Sequence, residues 1–389
     1  MSPSRKRKTA LRKPAAKIAR RAKAPRPVRR LPRQAARASS RKEGIPLLRK
    51  LCEACGVSGD ESAVREIVRE ALKGKVKEIR VDALGNLLVR CRTRGKTAKR
   101  VMIAAHMDEV GVVLMQPGSD GLWKFETVGG VDERTLPAKS LWIGKKRLPG
   151  VIGTKPAHLV EKEEVENPIK KDSLTIDVGA KDKEGALALC QPGDRAAFAS
   201  PFRFERGILL GKALDDRLGV AVLAELAADP PAGIELLAAF TTQEEIGLRG
   251  AKVAAHALNP DLAVVIDATP AVEAPMWDGG ENTVYNTRLG GGPAVYVFDS
   301  RTISSARLVR LFTAAAEKRG IRYQIRQPRA GGTDAGAIHL ARAGIPSISV
   351  SVPCRNPHTP LSAARYEDWR GLAALVRAAL EDLAKHGLP

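Results

Sequence analysis

Aromatic side chains make up only 4% of this 389-residue chain, so aliphatic residues and alanine must fill its core. With hydrophobic residues at 44% there is ample material for that, which excludes global disorder and a collagen-like fibre. No apolar run approaches the ~18 residues of a membrane span, and no membrane partner is expected. The N-terminal stretch also lacks the apolar segment of a secretory signal. Cysteine is scarce, five residues and an odd number. That excludes a disulfide scaffold and points to reduced thiols in a reducing, cytoplasmic compartment. Cys52-x-x-Cys55 has no second pair and sits in a helical pattern, so it reads as structural thiols.

The most localised absence is of acid. Residues 1–42 hold 17 Lys/Arg and no Asp or Glu, whereas the rest of the chain holds 48 Lys/Arg against 43 Asp/Glu. The formal charge of +22 therefore belongs mainly to a tail on a mildly basic body. With five prolines and two leucines, this tail cannot bury enough apolar surface to offset its ordering entropy. It reads as disordered, spanning roughly 35 Å as a flexible coil. Its charge suits a nonspecific tether to nucleic acid or another polyanion, with no aromatic residue for stacking on bases; an extension without a specific role, or an Arg-rich targeting segment whose prolines disfavour the usual amphipathic helix, are the alternatives.

Beyond residue 43 the pattern is α/β. Ser58 and Glu61 have capping-box spacing ahead of an amphipathic helix. Strands follow at Leu87–Val89 and Val101–Ala105, the second a continuous apolar run as expected of a strand covered on both faces. Over 110–204 short strand-like pieces alternate with Gly, Pro and charge, which reads as a small β-rich insertion. The α/β rhythm returns over 205–389. It brings helices at Leu218–Ala227, Ser305–Lys318 and Trp369–Lys385, and strands at Glu235–Phe240, Leu262–Ile266 and Ser347–Val352. One α/β domain, 43–109 plus 205–389, is thus interrupted by 110–204.

Five short segments place an acid or a histidine after an apolar strand or beside glycine, where α/β sheets carry their sites. They contain His106 with Asp108, Asp215 with Asp216, Glu244 with Glu245, Asp267, and His358. Residues two apart in an extended chain point the same way, so Asp108 can orient the His106 imidazole. Two imidazoles and three carboxylates (His106, Asp215, Glu245, Asp267, His358) suffice for two metals only if one carboxylate bridges. Mixed N/O ligation suits Zn, Co or Mn, and a second glutamate beside a ligand suits a general base.

These residues, with Gly56-Val57-Ser58-Gly59, Ala105-His106-Met107-Asp108-Glu109-Val110-Gly111, Gly211-Lys212-Ala213-Leu214-Asp215-Asp216-Arg217, Glu244-Glu245-Ile246-Gly247 and Gly331-Gly332-Thr333-Asp334-Ala335, resemble the tetrahedral (TET) aminopeptidases of the glutamyl-aminopeptidase group. The resemblance runs from about Leu48 to the C-terminal helix. It implies a zinc-peptidase-like α/β fold, a mixed central sheet flanked by helices, with residues 110–204 as a dimerisation domain. It also implies dimers assembling into hollow dodecamers that admit short peptides. By resemblance, two divalent ions per subunit would lie between His106 with Asp267 and Glu245 with His358, bridged by Asp215. Glu244 would be the general base acting on a metal-bridging water, Asp108 the partner of His106, and the Asp215–Asp216 peptide cis. The sequence departs from the family pattern at Asn356, where a Tyr is common, at Glu273 in place of Asp, and at Gly291 in place of Lys.

Two other functions are conceivable from the sequence. A glycoside hydrolase would need two carboxylates across a sugar bond and usually no metal, which leaves both histidines unexplained. A polyanion-tethered protein with a degenerate peptidase body rests on the tail alone, and every ligand position is filled.

Overall fold

The computed structural model describes residues 44–389 except 96–98, 161–168, 281, 283–285 and 328–330. The basic tail and its expected polyanion contacts lie outside the described residues. The chain begins with helices α1 (Ile45–Glu53) and α2 (Ser62–Leu72), then strands β1 (Glu78–Val81), β2 (Leu87–Arg90) and β3 (Arg100–His106). Among the described residues there follow the strands and α-helix β4 (Gly111–Pro117), β5 (Trp123–Val128), β6 (Ser140–Ile143), β7 (Leu148–Gly153), β8 (Thr175–Asp177), α3 (Lys183–Leu189) and β9 (Arg195–Phe198). The chain then returns through β10 (Arg203–Glu205), β11 (Ile208–Gly211), α4 (Leu214–Ala228), β12 (Glu235–Thr241), α5 (Arg249–Leu258) and β13 (Leu262–Pro270). It closes with β14 (Ala294–Val295), α6 (Ala306–Arg319), β15 (Gln324–Ile325), α7 (Ala335–Ile338), β16 (Ser347–Arg355), β17 (Ser362–Arg365) and α8 (Tyr366–His386).

The main sheet runs β1-β2-β12-β3-β13-β16-β17-β11-β10, with β14 and β15 attached beside β16. Its four central strands are parallel and its flanking strands antiparallel, the mixed sheet expected. Burial on both faces explains why β3 is apolar from Val101 to Ala105. Val101, Ile103 and Ala105 enter the core under α1, α2, α4, α6 and α8, while Met102 and Ala104 meet α5 and α7 on the other face. At ~25 cal/mol per Å² of apolar area, this double-sided burial is the main stabilising term.

The six strands β4 to β9 close into a barrel ordered β4-β5-β8-β7-β6-β9. It has its own core, including Val112, Trp123, Leu141, Ile152, Ile176 and Phe198. In β5, Trp123 and Phe125 point in while Lys124 and Glu126 point out, the period of two that marks a half-buried strand. Strand β10, from Arg203, pairs with β11 in the main sheet.

One local expectation is corrected. Ser58 and Glu61 form no capping box. Helix α2 starts at Ser62, its N-cap residue is Glu61, and no side chain caps it. Both side chains are drawn elsewhere, into the site.

Candidate metal centre

Strands β3, β12, β13 and β16 end at one edge of the sheet, and the site is built there. His106 closes β3, and alternation from Met102 and Ala104 turns it to the α5/α7 face. Asp267 continues Ala263 and Val265 in β13 to that same face. Glu244 and Glu245 follow β12, Asp215 and Asp216 open α4, and His358 lies in the turn between β16 and β17. Asp215 and Asp216 have non-helical backbone angles, and the peptide between them is cis.

The structure brings all five expected ligands together. Asp215 stands between the two imidazoles. Its Oδ1 is 3.1 Å from His106 Nε2 and its Oδ2 is 3.5 Å from His358 Nε2. Asp267 Oδ1 lies 3.7 Å from His106 Nε2 and Glu245 Oε2 lies 3.2 Å from His358 Nε2. Two sets of potential ligand atoms, His106/Asp215/Asp267 and Asp215/Glu245/His358, each fall within 4.8 Å. They share Asp215. A third set, His106/Glu244/Glu245, puts Glu244 against the same centre.

The outer ring nitrogens are also committed. His106 Nδ1 donates to the carbonyl of Asp108 at 3.2 Å and His358 Nδ1 to that of Gly130 at 3.2 Å. This leaves each Nε2 lone pair for a cation. The Asp108 carboxylate is 3.5 Å from His106, farther than its own carbonyl. It also accepts from Ser58 Oγ at 2.6 Å and from the backbone N–H groups of Glu244 and Glu245 at 3.0 and 3.1 Å.

The donor set fits divalent cations. Burial, reinforced by neighbouring Asp215, pushes the Glu245 carboxyl up to about 8. Burial and Asp215 likewise push Asp267 up to about 6 although His106 opposes the shift. Glu244 is raised well above its ordinary value by burial, against the pull of His106 and with the push of Glu245, Asp267 and Asp334. For Asp215 burial is outweighed by His106 and His358, which hold it below the carboxylate range. A buried group of acids facing two imidazoles is electrostatically incomplete without positive charge.

Several contributors escaped the sequence reading. The barrel reaches the site through Gly129 and Gly130. A Cβ on Gly129 would lie 2.8 Å from Val110 and 3.2 Å from Glu245 Cβ, and one on Gly130 would lie 3.2 Å from His358 Nδ1. The Gly-Gly pair was the available signal. Behind the candidate ligands, buried Glu109 accepts from Lys212 at 2.7 and 2.8 Å, Arg217 at 3.2 Å and the Gly56 N–H at 3.0 Å. The motifs holding these residues were visible, their mutual pairing was not. His339, at the end of α7, donates from Nδ1 to Ala335 O at 2.8 Å. All five cysteines are free, four of them buried.

The model of the M42 glutamyl aminopeptidase family matches residues 85–375. The lysyl aminopeptidase of Pyrococcus furiosus is 33% identical over 347 residues, covering 87% of this chain and 96% of that protein. The solved aminopeptidase of Desulfurococcus kamchatkensis shares 32% identity with a TM-score of 0.82, over 88% and 95% of the two chains. The TET1 peptidase of Pyrococcus horikoshii, described as assembling into a tetrahedron or a large octahedral shell, shares 34% identity with a TM-score of 0.75, over 86% and 98%. The chain belongs to the M42 glutamyl aminopeptidase family. It is accordingly an aminopeptidase, a hydrolase of peptide bonds.

Proposed function

We propose that the chain removes N-terminal residues from short peptides using two divalent ions, with Glu244 as general base. The carrying observation is Asp215, whose two carboxylate oxygens face one imidazole each, at 3.1 and 3.5 Å. His106, Asp267 and one oxygen of Asp215 would hold the first ion, and Glu245, His358 and the other oxygen the second. When bound, such ions polarise a carbonyl and acidify water.

The remaining roles fall to side chains. Glu244 removes a proton from the attacking water and later delivers it to the leaving amine. Its raised proton affinity, set by burial and neighbouring acids, suits both transfers. His106 and His358 are oriented by the Asp108 and Gly130 carbonyls, which lock the proton on Nδ1. The acids around the centre favour a protonated substrate amine over a blocked one, which restricts cleavage to N-termini.

Zn, Co and Mn all suit the mixed N/O ligands. The barrel is the proposed dimer contact, and dimers assembling into a dodecamer would confine the reaction to short peptides. A cytoplasmic location accords with free thiols. The tail over 1–42 adds a nonspecific hold on a polyanion. Deleting it removes salt-sensitive nucleic-acid affinity and leaves peptide turnover unchanged, and unaltered affinity would refute that part. The di-metal reading is tested by titrating metal-stripped protein with Zn. Two ions per chain are expected, with Asp215→Ala losing both, and a single ion in the wild type would refute the reading.

A further inference from the structure

The residues that imitate a capping box have another use. The loop Gly56–Glu61 is pinned beside the exit of β3. The Glu109 N–H donates to Gly56 O at 3.0 Å and the Ser58 N–H to Glu109 O at 3.3 Å. From the barrel, Arg195 Nε donates to the Ser58 carbonyl at 3.2 Å. Ser58 is 1% exposed and Asp108 fully buried, and the hydroxyl donates to Asp108 Oδ2 at 2.6 Å.

Three successive backbone N–H groups of the segment after β12 end on carboxylates that this loop holds. The Gln243 N–H donates to Glu61 Oε1 at 3.3 Å, the Glu244 N–H to Asp108 Oδ1 at 3.0 Å, and the Glu245 N–H to Asp108 Oδ2 at 3.1 Å. Glu61 Oε1 is itself fixed by the Gly59 N–H at 2.7 Å. The segment needs such restraint. It turns through Gln243 at φ +56°, a left-handed conformation that strains a non-glycine residue. With a flexible backbone there, the Glu244 and Glu245 carboxylates would not hold the sub-ångström placement that catalysis and ligation require.

We propose that Ser58 and Glu61 are positioning residues that set the Gln243–Glu245 backbone: Ser58 through Asp108, Glu61 directly. The proposal rests on the metallopeptidase reading for the roles of Glu244 and Glu245. Neither side chain touches the reacting atoms. Both act through the carboxylates that the three N–H groups meet.

The test compares wild type with Ser58→Ala, Ser58→Thr, Glu61→Ala and the double alanine variant, read in two ways. The first is Zn affinity of the metal-stripped protein, measured by competition with a chelator and without substrate. Ser58→Ala is expected to weaken it about tenfold, the scale seen for outer partners of metal ligands. The second is the split between kcat and KM on an aminoacyl substrate. A kcat at least ~10-fold lower with KM within ~2-fold is expected, because the base and ligand are displaced while substrate contacts remain. Ser58→Thr keeps the hydroxyl and restores most of both. The double variant is less defective than the product of the single effects, since both act on one segment.

Folded Ser58→Ala with wild-type Zn affinity and kcat overturns the proposal, as does Ser58→Thr failing equally. If Ser58→Ala does not fold, Glu61→Ala gives the same two readouts. If the wild type cleaves no substrate offered, the peptidase reading fails, while the Zn measurement still decides the positioning role.

Discussion

Lys212 Nζ reaches Glu109 Oε1 at 2.7 Å with both side chains 2% exposed. The pair joins the exit of β3 to the entry of α4, and Lys212 also donates to Ala54 O at 2.6 Å just beyond α1. A buried pair of this kind adds little over an apolar replacement of both partners, but breaking it strands a charge. Lys212→Met should therefore cost about 3 kcal/mol, the low end of the range for a broken buried pair, because Arg217 remains at 3.2 Å. Urea unfolding at pH 7 measures this. A cost below ~1 kcal/mol would mean the pair is not an anchor.

Metal removal should destabilise the chain as well as silence it. The centre gathers half-buried Asp215, Glu244 and Glu245 with buried Asp267, and ions bound there would stabilise the folded state by mass action. At free metal 100-fold above Kd, one site contributes about 2.7 kcal/mol. Thermal unfolding with Zn and with excess chelator should differ by several degrees. Coincident transitions would contradict an ion-holding centre.

Away from the centre, Arg319 grips Asp382 through two hydrogen bonds of 2.7 and 3.0 Å, tying α6 to α8. This contact holds the Asp382 carboxyl down at about 2. A folded-state value below the unfolded one means the contribution is complete above about pH 4 and fades as the pH falls towards 2. Asp382→Asn should cost about 1 kcal/mol at pH 6, and the difference from wild type should shrink between pH 4 and pH 2. Urea unfolding across that range checks it, and a pH-independent difference would refute the ion pair as its source.

The frame and the candidate ligands were legible because each stands at a boundary between two signals. Val101–Ala105 is uninterrupted apolar chain and His106 ends it. Leu262–Ile266 is likewise apolar and Asp267 follows. A strand buried on both faces has that pattern, and its first polar residue marks the sheet edge where α/β sites form. The ladder in fact runs on to Pro270, enclosing Asp267. Sequence pattern could not give the contacts between distant segments. Ser58 and Asp108 are 50 positions apart, and Glu61 and Gln243 182 apart. The Ser58/Glu61 spacing pointed to a local helix cap because the cap is the partner nearest in sequence. The carboxylate and N–H that these side chains meet arrive only with the fold. Gly129 and Gly130 were hidden for the same reason, since the His358 and Glu245 side chains they accommodate belong to other elements.

The most direct test is hydrolysis of aminoacyl-p-nitroanilides by metal-stripped protein, with Zn, Co or Mn restored in turn. Wild type should regain release with at least one metal. Glu244→Gln, which keeps all five proposed ligands, should bind the metal yet turn over about 10²–10⁴-fold more slowly. Release that survives chelation, or a Glu244→Gln variant as fast as wild type, would contradict a metal-dependent peptidase with Glu244 as its base.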